Sequence, residues 1–523
     1  MAKIQNPVLR GFNSDPSILR VDDDYYIATS TFEWYPGVQI SHSKDLVNWH
    51  VVSRPLNRYS QLDMRGNPNS GGIWAPCLSY CDGLYYLIYT NTRNWTSAFK
   101  DAHNYLVTAP SVDGPWSEPI YMNSSGFDPS LFHDDDGRKW FVNMLWDHRP
   151  NHNSFGGIVL QEYDHEQKKL VGPVKNIFLG TPIGLVEGPH LYKRGGYYYL
   201  LTAEGGTFTT HAASMARSRN IDGPYDIMPD NPMISSSANP EVLLQAAGHG
   251  SLVENKDGSW IFAHLCRRPL PSGRSILGRE TALQAIEWVD GWPRLKAGGH
   301  VPQDVYEGPD LPICEWPKEP SRDDFDDETL GIEWQSPRVL PSDASSLTER
   351  PGFLRVYGRE CINSNFEQSL LARRQRAKHI QATTCMQFTP ENFQQMAGIV
   401  AFYSTDSFYY LYVSHAEHAK KALSVMRCER GNLTFPVEKE YTLDGLENIY
   451  LRITIKDDRI RLSYSRDGET YYAVGFEEDA SILSDEHASP IGFTGNFVGM
   501  ACQDLGGTRL HADFDWFEYL ELD

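Results

Sequence analysis

Residues 128–145 read DPSLFHDDDGRKWFVNML, and this pattern occurs in four other places in the first half of the chain. Each copy has a polar or aromatic residue, a small or Pro step, an apolar stretch, an acidic or glycine turn and a second stretch rich in aromatic residues. Such alternation around a turn predicts a β-hairpin. The copies begin at Asp15, Trp74, Asp128, Glu187 and His249, so successive starts lie 59, 54, 59 and 62 residues apart.

A second hairpin is predicted in each of the five gaps that follow these copies. Three of these second hairpins share a turn of the type D-G-P-aromatic or D-G-W-P, which begins at Asp113, Asp222 or Asp290. Two hairpins form a four-stranded sheet, and five such sheets at a regular period are typical of a five-bladed β-propeller.

The repeat ends near Leu295, where a connector rich in Gly, Pro and acidic residues begins. From about Asp323 the chain resumes short alternating strands bounded by turns, a pattern typical of a β-sandwich. We therefore predict an all-β protein with a five-bladed β-propeller at residues 1–305, a linker at 306–322 and a β-sandwich at 323–523.

The length of the chain indicates more than one domain, and its composition disfavours several classes of partner. A chain of 523 residues exceeds the usual size of a single core. The formal net charge of −21 disfavours nucleic acid and anionic membranes as partners. The first residues contain no apolar run of the kind found in signal peptides, and the eight cysteines contain no C-x-x-C pair. We therefore expect free thiols and a cytoplasmic location.

The starts of the five repeats are the candidate functional positions. The first strand of each propeller blade lines the central channel, so three carboxylates, one indole and one imidazole are expected to converge there. Clustered carboxylates disfavour each other's ionisation, which makes them active-site candidates, although structural ion networks also occur. The acidic residues at 22–24 and 134–136 are instead ordinary hairpin-turn residues.

Two carboxylates that flank a glycosidic bond are sufficient for its hydrolysis, because one protonates the leaving oxygen and the other activates water or attacks. Other chemistries have weaker support. The sequence has no H-E-x-x-H or EF-hand pattern for a metal, no P-loop or dinucleotide fingerprint, and no G-x-S-x-G elbow for a serine nucleophile.

Six motifs in order along the chain resemble glycoside hydrolase family 43, specifically its two-domain β-xylosidases. They are GFNSDPS at 11–17, GFDPSLF at 126–132, VEGPH at 186–190, GHGSLV at 248–253, LGRET at 277–281 and FTGNFVGMACQD at 493–504. The resemblance implies an inverting, exo-acting enzyme that releases xylose from xylo-oligosaccharides. It implies that Asp15 is the general base, that Glu187 is the general acid, and that Asp128 orients Glu187 and raises its pKa.

The resemblance also implies the residues that bind the sugar. Arg279 would bind sugar hydroxyls, His249 would support the floor of the site, and Thr207 would contact a sugar hydroxyl. Phe497 would reach from the sandwich into the propeller mouth and close the pocket. The apolar walls would be Phe32, Trp74, Phe127 and Trp146. Considered without the resemblance, core packing is the better interpretation of these four aromatic residues.

Several alternatives stay open at this point. α-L-Arabinofuranosidase activity is expected as a side activity and could be the main one, and a carbohydrate-binding propeller without catalysis is a further alternative. The fructosidase group shares the two-domain architecture, but its N-D-P-N-G, R-D-P and E-C motifs are absent. No cofactor is required. A calcium ion could lie near His249 or around Asp323–Glu328, but the spacing of potential ligands does not place it. The family resemblance implies a homodimer or homotetramer.

Overall fold

The protein is almost entirely β structure. A computed structural model describes residues 3–522, and its only helical elements in that range are Pro341–Ala344 and the 3-10 turn Ala480–Ile482. The strands form five small antiparallel sheets, two large sheets and two short ribbons. The predicted all-β class is confirmed.

The five small sheets each come from one continuous segment of the chain and form the blades of a propeller. Blade 1 contains Ser17–Val21, Asp24–Thr29, Gln39–Ser43 and His50–Ser53. Blade 2 contains Gly72–Cys81, Leu84–Asn94, Asp101–Ala109 and Ile120–Asn123. Blade 3 contains Ser130–His133, Lys139–Trp146, Phe155–Asp164 and Lys169–Phe178. Blade 4 contains Glu187–Arg194, Tyr197–Glu204, Ala212–Ser218, Asp226–Ile227 and Ile234–Ser235. Blade 5 contains Gln245–Glu254, Trp260–Arg267, Glu280–Val289 and Trp292–Leu295.

Serines of the innermost strands connect neighbouring blades. The Ser17 hydroxyl accepts a hydrogen bond from the Leu78 N–H, and the Ser130 hydroxyl donates to the Pro189 carbonyl. Ser251 of blade 5 donates to the Pro16 carbonyl. The serine of each D-P-S motif therefore satisfies a buried backbone group of the next blade, as buried polar groups require.

The N-terminal segment closes the ring of blades. Strand Lys3–Gln5 pairs with Val305–Glu307, and the backbone around Leu9 bonds to Thr281 in blade 5. The buried Asn6 side chain exchanges two hydrogen bonds with the backbone of Leu283. The first residues of the chain thus fasten blade 5 to blade 1.

The second half of the chain forms two stacked sheets. One sheet contains Arg322–Asp323, Ser345–Ser346, Leu354–Tyr357, His379–Gln387, Asn448–Lys456, Arg459–Ser465, Tyr471–Ala473, Glu478–Asp479 and His511–Glu521. The other contains Ser369–Arg374, Gln395–Ser404, Ser407–Ser414, Ala422–Glu429, Asn432–Thr434, Tyr441–Thr442 and Phe497–Asp504. Alternate side chains of both sheets form one apolar core, which is the packing of a β-sandwich. The predicted architecture of a propeller followed by a sandwich is confirmed, whereas the exact domain limits stay predictions.

The two domains share an apolar interface. Strand Trp34–Tyr35 of the propeller half pairs with Ser336–Pro337. The Trp34 indole stacks on the Phe497 ring of the sandwich with 3.5 Å between ring centroids. This interface holds the loop that precedes Phe497 against the propeller.

Candidate active site

Ten of the eleven predicted site residues line one cavity of ≈ 290 Å³ between the propeller and a loop of the sandwich. They are Asp15, Phe32, Trp74, Phe127, Asp128, Trp146, Glu187, Thr207, His249 and Arg279. The innermost strands of blades 1, 3 and 4 therefore bring the three carboxylates together, as the repeat predicts.

Local backbone irregularities aim these side chains at the cavity. Asp15 and Asp128 have φ values of 56° and 54°, in the left-handed region that non-glycine residues seldom adopt. Such strain is typical of functional sites. Trp74 and Glu187 instead lie at bulges, where the innermost strand has one more residue than its partner. Trp74 and Glu187 lie one residue further from the apolar part of their strands than Asp15 and Asp128 do. The bulges accommodate this extra residue.

Asp15 is held in its ionised form. One carboxylate oxygen accepts a hydrogen bond from Arg279 at 2.7 Å, and the other accepts from Ser30 at 2.7 Å and Ser14 at 3.1 Å. Burial alone would raise the pKa of Asp15, but Arg279, His249 and the two hydroxyls together lower the pKa below its ordinary value. Asp15 can therefore accept a proton at neutral pH.

Glu187 and Asp128 have the opposite environment. Burial, followed by the charge of Asp15, raises the pKa of Glu187 to about 8, although Arg279 and Lys100 oppose the shift. Burial, then Glu187 and Asp15, raise the pKa of Asp128 as well. The Gly188 N–H donates to Asp128 at 3.1 Å. Because neither carboxyl has the close arginine that Asp15 has, the pair retains at least one proton near neutral pH.

His249 supports the carboxylate of Asp15. Its Nδ1 lies 3.6 Å from an Asp15 oxygen, and burial lowers the pKa of the imidazole, so the ring is neutral at pH 7. A Cβ atom at Gly188 would lie 2.8 Å from the Nε2 of His249. Glycine at position 188 therefore leaves the space that the imidazole occupies next to Glu187.

Aromatic side chains form the walls of the cavity. Trp74 packs edge-to-face on Phe127 at 5.2 Å, and Phe127 lies 6.1 Å from Trp146. The indole N–H groups of Trp74, Trp95 and Trp146 donate to backbone carbonyls, which fixes the plane of each ring. Such flat apolar surfaces beside polar groups are suited to binding a sugar ring.

The sandwich contributes a different phenylalanine from the predicted one. Phe497 does not line the cavity, since it is fully buried against Trp34 in the domain interface. Phe493, four residues earlier in the same motif, lines the cavity and lies within 5.9 Å of Phe32, Trp74 and Trp95. The prediction for Phe497 is therefore corrected: strand Phe497–Asp504 has already entered the core, and the preceding loop reaches the propeller mouth.

Other residues of the cavity are missed by the repeat because none lies at the start of an inner blade strand: Phe155 begins the third strand of blade 3, and the others lie on loops. The missed residues are Trp95, Lys100, Phe155, Phe208 and Ile491. The Lys100 amine donates to the Trp95 carbonyl at 2.9 Å and lies 4.3 Å from the Trp146 ring centre. Burial lowers the pKa of Lys100, whereas Glu187 opposes that shift. The Thr207 hydroxyl has no hydrogen-bond partner within the described chain, so it is available to a ligand.

Neither calcium position considered from the sequence has a cluster of ionisable ligands among the described residues. Residues 3–522 contain no cluster of three His, Cys, Asp or Glu side chains suited to a metal ion. In the acidic run, both Asp323 oxygens accept hydrogen bonds, and Asp324 pairs with Arg322.

No helix within residues 3–522 is both long and apolar enough to cross a bilayer.

Comparison with known families agrees with this geometry over nearly the whole chain. Residues 4–293 match the model of glycosyl hydrolases family 43. Residues 322–520 match the model of the beta xylosidase C-terminal concanavalin A-like domain. These two regions correspond to the blades and the sandwich to within a few residues.

Individual relatives match end to end. The chain is 49% identical to a beta-xylosidase of Bacillus subtilis, with 99% of this chain and 100% of the relative covered. It is 50% identical to xylosidase/arabinosidase 43B of Humicola insolens, with 99% and 98% covered. The crystal structure of a xylan beta-1,4-xylosidase from Bacillus halodurans superimposes with a TM-score of 0.98 at 54% identity, covering 99% of this chain and 100% of that one.

Proposed function

This chain belongs to glycosyl hydrolases family 43, and from this membership and the site geometry we propose that it is an exo-acting, inverting β-xylosidase. Its proposed substrates are β-1,4-xylo-oligosaccharides such as xylobiose, from whose non-reducing end it releases D-xylose. The observation that carries the proposal is the opposite electrostatic setting of Asp15 and Glu187 in one aromatic-walled cavity.

The acid and base roles follow from the two environments. An ionised carboxylate beside Arg279 suits a general base, and a carboxyl with a pKa of about 8 suits a general acid at neutral pH. The Gly188 N–H favours the ionised form of Asp128, so we assign the proton shared by the pair to Glu187. Asp128 then acts as a positioning residue, and its charge adds to burial and the charge of Asp15 in keeping Glu187 protonated.

Hydrolysis proceeds in one displacement. Asp15 accepts a proton from water while the water oxygen bonds to the anomeric carbon of the terminal xylose. The bond from that carbon to the glycosidic oxygen breaks, and the proton of Glu187 passes to the departing oxygen. Inversion at the anomeric carbon follows because water attacks from the face opposite the leaving group.

The shape of the cavity supports exo action. Phe493 lies across the propeller mouth, where its N–H donates to Ser70 and its carbonyl accepts from Arg279. The sandwich loop is thus fixed to both the propeller wall and the arginine that holds Asp15. A cavity covered in this way admits the end of a xylan chain and excludes its interior.

Arabinofuranosidase activity is a second candidate, supported by the combined xylosidase and arabinosidase name of the Humicola relative. Comparing turnover of 4-nitrophenyl β-D-xyloside and 4-nitrophenyl α-L-arabinofuranoside tests it. A higher kcat/KM for the arabinoside would make that sugar the main substrate.

We also propose that the protein is a cytoplasmic dimer or tetramer. Cell fractionation tests the location, and light scattering of the purified protein tests the oligomeric state.

Proton NMR of xylobiose hydrolysis tests the main proposal. We expect α-xylose to appear first, because inversion of a β-linkage gives the α-anomer. Early β-xylose would show retention and refute the assigned roles, whereas the absence of hydrolysis would favour a carbohydrate-binding propeller.

A further inference from the structure

A second cavity lies at the domain interface, outside the active site. It has a volume of ≈ 180 Å³, far above the roughly 10–15 Å³ that one water molecule requires. The propeller half contributes Asn13, Gln39 and Arg54 to its lining, and the sandwich contributes Arg373 and Arg374. The proposed catalytic mechanism uses none of these five residues.

Two arginines of this cavity are more than nine-tenths buried. Arg54 is 9% exposed and Arg374 is 8% exposed. Arg54 donates to the Ile332 carbonyl and to Gln39, and Arg374 donates to Gln335, the Phe12 carbonyl and Asn13. All of these acceptors are neutral. Each guanidinium also retains one buried terminal nitrogen without a hydrogen-bond partner in the described chain.

Neither charge has a carboxylate in direct contact among the described residues. Within residues 3–522, neither guanidinium has a carboxylate within the 4.0 Å of an ion pair. Burial lowers the pKa of Arg54 to about 10, although the more distant Glu319 and Glu333 oppose the shift. Burial and then the charge of Arg54 lower the pKa of Arg374. Since buried charges are normally paired in direct contact, two neighbouring cations without a contacting anion constitute an incomplete site.

The acids around the cavity do not complete it. Glu319 pairs with Arg376 at 2.7 Å and with Arg373 at 3.6 Å. Arg10, on the rim, pairs with Glu521 at 2.7 Å. Glu333 also lines the cavity, but it lies beyond ion-pair distance of the two buried arginines. Together with Glu521, the five arginines of the lining face three glutamates, an excess of two positive charges.

We propose that this cavity binds a small inorganic oxyanion, of the phosphate or sulfate type, between Arg54 and Arg374. An arginine fork presents its N–H groups in the geometry that such oxygens accept. Because Arg54 belongs to the propeller half and Arg374 to the sandwich, the anion joins the two domains. It does so directly behind Asn13, which accepts from Arg374 two residues before Asp15.

The first test measures binding of inorganic phosphate to the full-length protein by calorimetry and by thermal denaturation. Millimolar phosphate should raise the apparent Tm by about 2 °C or more. Sodium chloride at the same ionic strength should not. An equal rise with chloride, or no measurable binding, would overturn the proposal.

Matched variants locate the binding. In Arg54→Gln, phosphate affinity should fall at least 10-fold, because one of the two unpaired cations is lost. In Arg10→Gln, which removes an equal charge from the rim of the same cavity, affinity should change less than 2-fold. An equal loss of phosphate affinity in both variants would mean that the overall positive charge of the cavity attracts the anion. That result would refute the site.

A measurement on the unmodified protein keeps the test independent of whether these variants fold. Crystals grown with selenate should show an anomalous peak between the guanidinium groups of Arg54 and Arg374. A map without a peak at that position would contradict the proposal.

Discussion

At the scale of single residues, one arginine makes three similar carboxyl groups chemically different. Arg279 lies 2.7 Å from Asp15, whereas Glu187 and Asp128 receive only its longer-range field. The pKa of Asp15 is accordingly lowered, and those of Glu187 and Asp128 are raised. The distance of each carboxyl from Arg279, rather than its residue type, makes Asp15 the base and Glu187 the acid.

The raised pKa of Glu187 predicts the alkaline limit of activity. Its protonated form is the active one, so kcat/KM should fall as pH rises through about 8. In Asp128→Asn the removal of a nearby negative charge should move this limit down by about 1 pH unit or more and reduce kcat. The pH profile of kcat/KM for both proteins provides the measurement, and an unmoved limit would argue against the role of Asp128.

Replacement of the acid and of the base should have different consequences for different leaving groups. Asp15→Ala should lose about 10²–10⁴-fold in kcat with both xylobiose and 4-nitrophenyl xyloside, because both reactions need activated water. Glu187→Ala should lose as much with xylobiose but clearly less with the nitrophenyl substrate, whose leaving group needs no proton. Asp23→Ala, at an exposed turn of the same hairpin as Asp15, is the control and should retain full activity. Equal losses for both substrates in Glu187→Ala would refute its role as acid.

At the scale of elements, the start of each inner strand determines where its side chain points. Left-handed residues precede the strands of blades 1 and 3, and bulges interrupt those of blades 2 and 4. Both devices turn a side chain out of the regular pleat toward the axis. The loop before Phe497–Asp504 has the corresponding role in the sandwich, because it holds Phe493 over the same cavity.

Two phenylalanines of this loop and strand should therefore respond differently to truncation. Phe493→Ala should raise KM for xylobiose by about 10-fold or more with little change in Tm, because it removes an apolar wall of the pocket. Phe497→Ala should reduce stability by about 3–5 kcal/mol, because it leaves a void beside Trp34. Steady-state kinetics and thermal denaturation distinguish the two effects.

Phe476→Ala is the matched control for both changes, since Phe476 lies in the same domain and is 87% exposed. It should alter neither KM nor Tm. A normal KM in Phe493→Ala, or a normal Tm in Phe497→Ala, would contradict the placement of these rings.

At the scale of the whole molecule, the propeller depends on contacts between distant parts of the chain. Residues near the N-terminus bond to blade 5, and Arg54 and Arg374 connect the propeller half to the sandwich through Asn13 and Gln39. A substitution that disrupts this closure of the propeller ring should therefore destabilise the protein without altering the active site.

Asn6→Ala tests this closure. The buried side chain bonds to Leu283 and to the Gln303 carbonyl, so its removal leaves backbone groups of both without partners. We expect a loss of about 1–3 kcal/mol and a lower apparent Tm, measured by thermal denaturation. Gln5→Ala, at the exposed neighbouring position, should leave the Tm unchanged, and equal behaviour of the two variants would argue against this closure.

Sequence alone determined the blades, the family and the position of the carboxylates. Hairpin periodicity is a local property, because alternation and turn residues act within about twenty positions, and the repeat places equivalent residues on equivalent strands. Asp15, Asp128 and Glu187 were therefore predictable as a group. Their roles came from the family resemblance, and the structure adds the electrostatic reason for them.

Only the tertiary structure decided which residues complete the cavities. In the motif FTGNFVG, both phenylalanines are equally plausible, and the choice of Phe493 depends on where strand Phe497–Asp504 enters the core. Trp95 and Lys100 lie on a loop that no other blade repeats, and Arg54 and Arg374 are 320 positions apart in the chain. Contacts of this kind depend on how separate elements pack against each other, and no local pattern of residues encodes that packing.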